Sequence, residues 1–88
     1  MNQVILIGKI VAEPVMFLTE PLGNLVLQVK NMDKTEHNII CYAKEEIIES
    51  IKKYCTIGTV VGTKGHLVQD NNEIRLHLEK VTFINKGE

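Results

Sequence analysis

Tyr42 and a set of strand-borne cations are the residues of this chain whose types and spacing could do chemistry. Tyr42 closes the run Glu36 to Tyr42, in which side chains alternate in the way a strand requires. Such a strand puts Glu36, Asn38, Ile40 and Tyr42 on one face and His37, Ile39 and Cys41 on the other. A ring on an outward face can stack on a nucleobase, worth about 1–3 kcal/mol per base. The plainer alternative is a ring packed at a rim with its hydroxyl in water. Lys9, Lys30, Lys34, Lys44, Lys64 and Arg75 lie on or beside strands, where cations along a groove can neutralise phosphates. Ten Lys and Arg against eleven Asp and Glu would equally describe a solvated surface. Arg75 and His77 share a strand face and could both contact a nucleic-acid strand. On the nucleic-acid reading the contact set is Tyr42, Lys30, Lys34, Asn38, Ile40, Arg75, His77 and Lys64; a packed ring and a solvated surface stand beside it.

Other chemistries find little support. His37 and Cys41 share a face but stand about 13 Å apart along a strand, too far for one metal ion. Cys41 reads as a small buried hydrophobe and Cys55 as a filler at a helix end. Ser50 is the only serine, set among charges with no nucleophile elbow around it. No GxxxxGK[ST] loop occurs, and Gly58, Gly62 and Gly65 are spaced for strand bends. Neither catalysis nor a cofactor is expected.

The elements that must position Tyr42 follow from periodicity. Gln3 to Val11 is strand-like, and Val4, Ile5, Leu6 and Ile7 make it apolar on both faces. One face can line the core; the other needs a cover, most simply a second subunit. Glu13-Pro14 interrupts, and Val15 to Leu18 is a short apolar piece with Phe17 read as core. Pro21, Gly23 and Asn24 are turn chemistry. Leu25 to Lys30 alternates as a half-buried strand, and Asn31 to Thr35 connects it to the Tyr42 strand. From Ala43 the period becomes helical. Ile47, Ile51 and Tyr54 form one stripe with Ile48 beside it, and Ile47 and Ile51 are expected to plug a barrel end. Acids lead this helix and lysines end it, as its dipole favours, and Gly58 is a plausible stop. Thr59 to Gln69 is a strand, Asp70-Asn71-Asn72 a hairpin turn, and Glu73 to Ile84 the last strand. There Ile74, Leu76 and Leu78 give way to Val81 and Phe83 one register later, which predicts a bulge near Glu79–Lys80. Phe83 and Tyr54 are assigned to packing. Five strands with one helix between the third and fourth describe an all-β, Greek-key barrel of OB type.

Eighty-eight residues make one domain, spanning 1–88, with a core modest enough that self-association is a reasonable expectation. No apolar run approaches the length of a bilayer span, and Met1 leads directly into a strand, so a cytoplasmic protein is expected. Two cysteines outside any CxxC spacing fit reduced thiols. A net charge of −1 and a pI near 6.3 give no general attraction to nucleic acid, so an anionic ligand must be held by a local patch.

The opening MNQVILIGKIVAEP resembles the start of bacterial single-stranded DNA-binding proteins (SSB). NIICYAKEEIIESIKKYCTIGTVVGTKGHL and the closing strand fall in that family's order, so the likeness covers nearly the whole chain. It implies an OB fold that binds single-stranded DNA on strand faces and loops and pairs subunits through the first strand, here Val4, Ile5, Leu6 and Ile7. Departures accompany it. The family's long hairpins shrink to Asn31–Thr35 and Asp70–Asn72, and there is no Trp. Glu36 stands where the family has an aromatic early on the third strand, while Tyr42 keeps the later one. The sequence reaches Glu88 without the linker and acidic tip of typical SSB proteins. PriB-type primosomal proteins, short SSB-like dimers without that tail, are a second comparison. The expectation is non-catalytic binding of single-stranded DNA in replication, recombination or repair by a homodimer or homotetramer. The alternative is an OB protein-interaction module that bridges replication or recombination proteins and has little DNA affinity; no membrane partner is expected.

Overall fold

The computed structural model describes residues 1–85. In chain order the elements are β1 (Val4–Ile10), β2 (Val15–Met16), β3 (Leu22–Lys30), β4 (Glu36–Lys44), α1 (Glu45–Tyr54), β5 (Val60–Asp70) and β6 (Glu73–Asn85). One sheet runs β1-β5-β6-β4-β3-β2, and a further β1–β3 pairing closes the five long strands into a barrel. The two-residue β2 lies outside the ring, paired to β3. Every ring pairing is antiparallel except β4–β6. That one is parallel because α1 carries the chain across a barrel end between β4 and β5, the crossover that parallel strands need. Among the five barrel strands the helix falls between the third and fourth, as the sequence pattern predicts.

The core follows from alternation. Ile10, Leu25, Leu27, Cys41, Ala43, Val61, Leu76 and Leu78 point inward and are almost wholly enclosed. α1 adds Ile48 and Ile51, which close one end of the barrel. Burying side chains of this size contributes about 1.5–3 kcal/mol each. Here the stripe departs from expectation. Ile48, not Ile47, is the deep partner of Ile51, and Tyr54 is more than half exposed. A stripe wider than one residue leaves its centre undetermined until the barrel beneath it is known. Phe83 is likewise 43% exposed rather than core, its ring centroid 5.9 Å from that of Tyr54 at the helix's far end. Phe17, expected in the core, is half-buried on the outside.

The helix stops at Tyr54, before any glycine. Cys55 is extended, and its N–H still donates to the Ile51 carbonyl. Thr56 and Thr59 then share a tight turn, in which the Thr56 N–H donates to Thr59 Oγ1 at 3.0 Å. Gly58 acts within that turn. It takes a left-handed φ of 100° that side chains rarely tolerate, and its N–H donates to the Ile10 carbonyl at 2.7 Å.

The register of β6 on β5 slips where the sequence predicts. Lys64 pairs with Lys80 and Gly65 with Leu78, leaving Glu79 as the extra residue of a bulge. Gly65 is required beside it, because a Cβ there would run into the His77 carbonyl. A second slip near the end of β6, between Val60 and Val61 of β5, has no counterpart in the sequence reading.

Candidate nucleic-acid interface

The outer surface of β3, β4, β6 and β5 carries a row of polar and aromatic side chains at right angles to the strands. Asn24 is paired with Tyr42 across β3–β4 and Tyr42 with His77 across β4–β6. His77 pairs with His66 across β5–β6. Cross-strand partners share a face, so the four side chains form one ladder. The Tyr42 and His77 rings stack with centroids 5.7 Å apart and planes 23° from parallel. His77 and His66 repeat the arrangement at 6.1 Å and 27°. Phe17, just beyond β2, joins the group with its centroid 6.1 Å from that of Tyr42. The bulge turns Glu79 toward β5, where Nδ1 of His66 lies 2.8 Å from its carboxylate.

Arg75, two residues before His77, lies over the Tyr42 ring at 4.6 Å from its centroid. Asp70, on the far side of the hairpin turn, approaches its guanidinium at 3.4 Å. Nε of Arg75 is buried without a hydrogen-bond partner among the described residues, a condition that costs roughly 1–3 kcal/mol. Tyr42 is therefore half-buried and its ring shared with a guanidinium, which is itself a planar stacking surface. The His77 imidazole is held below its ordinary range, first by burial, then by His66 and Arg75, with Asp70 opposing.

The structure gathers some of the expected contact residues and separates others. Tyr42, Arg75 and His77 stand together. Ile40 and Asn38 continue the same face of β4, with Ile40 55% exposed. Lys30 lies at the far end of that face, about 20 Å from Tyr42 along the strand, directly opposite Glu36. It also borders a shallow groove of about 380 Å³ with Lys9 and Gln28, where β1 meets β3. Lys34 sits in the β3–β4 turn with a left-handed φ of 70°. Its N–H donates to the Asn31 carbonyl, and Asp33 holds the turn by accepting from the Thr35 N–H and hydroxyl. Those bonds hold the Asp33 carboxyl below its usual value. Lys64 is two residues from His66 on β5, but its register partners are Ile5 and Lys80. It borders a different surface.

That other surface is the outside of β1. Ile5 and Ile7 are 67% and 62% exposed, while Val4 and Leu6 turn toward the core. Ile7 pairs with Gly62, and Ile84 reaches over Gly62 from β6, so the patch is flat and apolar. On its other side β1 pairs with β3 at Lys9 and Ile10, and among the described residues the edge from Val4 to Ile7 has no strand partner there.

Three residues of this face are not apparent from the sequence: Asn24, read there as turn chemistry, lies inside β3 opposite Tyr42, and His66 and Phe17 join it. His66 becomes a neighbour of His77 only through the register that the bulge sets, and Phe17 reaches Tyr42 only because β2 docks on β3. Cys41 is fully buried, its thiol pushed up to about 12 by desolvation. Among the described residues no three His, Cys, Asp or Glu side chains converge as a metal site, and no helix is long and apolar enough to cross a membrane.

No protein-family model and no curated protein matches the sequence. Solved structures do match. The mitochondrial single-stranded DNA-binding protein Rim1 of S. cerevisiae superposes with a TM-score of 0.81 at 12% identity, covering 98% of this chain and 96% of that one. The N-terminal domain of PriB from Thermoanaerobacter tencongensis, described as dimeric, gives 0.77 at 19% identity over 97% and 98%. The SSB domain of a Synechococcus protein gives 0.77 at 17% identity over 93% and 94%. At these identities the likeness is one of architecture: this chain has the OB fold of those domains.

Proposed function

We propose that the protein binds single-stranded DNA without catalysis, on the outer face of β3, β4, β6 and the adjoining part of β5. The observation that carries this reading is the ladder Asn24–Tyr42–His77–His66 with Arg75 laid over Tyr42. Stacked planar groups on an open strand face suit unpaired bases, which present their π faces. Arg75 supplies a cation beside them, and moving it onto a phosphate gives its unpartnered Nε an acceptor. Lys30 and Lys34 extend the cationic track toward the β3–β4 turn, with Asn38 and Ile40 between. The exposed Ile5 and Ile7 and the open edge of β1 support self-association, so that two or more such faces act together in replication, recombination or repair.

A protein-interaction module is the second reading. Arg75 occupies the ring that a base needs, and Glu36 opposes Lys30; both favour it. Titration of labelled oligo-dT at two salt concentrations tests the proposal. Binding that weakens with salt is the expected outcome; no binding at low ionic strength moves the case to the second reading.

A further inference from the structure

Beyond His77 the ladder opens into a cavity of about 480 Å³ between the start of α1 and the β5–β6 hairpin. Its lining is chemically divided. Ala43, Ile47 and Leu78 supply an apolar floor, and His66 and His77 stand as an imidazole wall. Glu79, turned in by the bulge, offers a carboxylate, and Lys44 supplies the one cation. The volume falls in the range of small-molecule sites. A phosphate is a poor occupant, because Glu79 repels it and the acids Glu45 and Glu46 lead the adjoining helix. A flat ring with hydrogen-bond donors on its edge suits all three surfaces.

We propose that this cavity is a nucleobase pocket selective for guanine, a subsite of the single-strand reading above and dependent on it for its place on the DNA path. The base lies against His66 and His77, and Lys44 at the rim takes the phosphate of the same nucleotide. Selectivity comes from Glu79. Its carboxylate accepts from His66 Nδ1–H and keeps lone pairs on both oxygens. Guanine alone among the DNA bases presents two adjacent donors, N1–H and N2–H, on its pairing edge. Adenine and cytosine each set an acceptor beside their one amino group, and thymine flanks its single N–H with carbonyls. A carboxylate therefore receives guanine with two bonds and meets lone-pair repulsion from the rest.

The test compares oligo-dT carrying one central guanine with the same oligomer carrying inosine, which lacks only the N2 amino group. Wild-type protein should favour guanine by about tenfold, the worth of the one hydrogen bond to a charged acceptor that inosine lacks. Glu79→Gln should bring that ratio to near unity, and the ratio is insensitive to the general gain in DNA affinity from removing an acid. Titration with guanosine monophosphate, followed by NMR of the imidazole protons, should shift His66 and His77 in wild type and in Tyr42→Ala. Equal affinity for guanine and inosine oligomers while oligo-dT binds would overturn the pocket and leave the single-strand reading intact. Failure of every oligomer together with an unshifted His66 overturns both. If the oligomers fail but guanosine monophosphate still shifts His66, the pocket stands as a guanine-nucleotide site and the DNA path falls.

Discussion

The two outer faces of this barrel share the β5–β6 hairpin and solve opposite problems. On the Tyr42 face nearly every large side chain has a neighbour of its own: Arg75 over Tyr42, His77 beside it, His66 on Glu79. On the β1 face Ile5, Ile7 and Ile84 stand over half exposed beside a glycine, with nothing among the described residues covering them. The first face holds planar and charged groups in a fixed pattern, which is what recognition needs. The second offers only area, which gains nothing until another surface covers it. The hinge between them is local. The bulge at Glu79 lets one long hairpin serve both, with His66 and His77 on one side of it and Lys64 and Lys80 on the other.

The largest effect should come from the bare face. In a two-fold assembly each residue is used twice, so Ile7→Asp removes two buried side chains and adds two acids. At about 1.5–3 kcal/mol per apolar side chain, self-association should weaken at least a hundredfold, read by sedimentation. A wild-type monomer at micromolar concentration breaks the comparison outright. Ile51→Ala comes next, because both faces rest on the plug beneath them. It should cost about 2–5 kcal/mol in denaturant unfolding, and Ile48→Ala the same, whereas Ile47→Ala should cost less. On the Tyr42 face, Tyr42→Ala should weaken oligo-dT binding by about 1–3 kcal/mol with little change in salt slope, since stacking releases no counterions. Lys30→Ala is the smaller, complementary change. It should lower the slope by about one ion and leave base preference unchanged, with Glu36 opposite it limiting the loss.

Legibility divides along the line between local and cross-strand information. The strand of Tyr42, the helix after it and the slip near Glu79 are all written as changes of apolar period, so they can be read residue by residue. Alternation alone puts Cys41 inside and Tyr42 outside. What alternation cannot supply is the neighbour on the next strand. His66 and His77 are separated by a hairpin whose register depends on the bulge and on a glycine that clears the His77 carbonyl. Phe17 looks like core because it lies in an apolar segment, yet the two-residue β2 leaves it beside Tyr42. Ile47 and Ile48 differ by a rotation that only the barrel resolves. Charge alone groups Lys30 with Lys64, and the sheet sets them on different surfaces.

The smallest prediction separates the faces by pH. His77 binds its proton less readily in the folded protein than in the unfolded chain, through burial first and then through His66 and Arg75. As pH falls below the ordinary imidazole value near 6.5, the unfolded state takes up this proton first, so folding stability declines until the folded imidazole titrates too. The contribution is present in full above that window and lost through it. Asp33 acts in the same direction but in a separate, more acidic window, since its carboxyl is held below the ordinary value of 3.8 by Thr35. The thermal midpoint should therefore fall modestly between about pH 7.5 and about pH 5.5, and fall less in His77→Phe, which keeps a flat ring beside Tyr42. The β1 rows carry no imidazole, so Ile7→Thr, which leaves the ladder untouched, should keep the wild-type pH dependence of the monomer. An equal decline in His77→Phe and wild type would mean that His77 is not held among Tyr42, His66 and Arg75 in solution, and the contrast between a patterned face and a bare one would lose its central member.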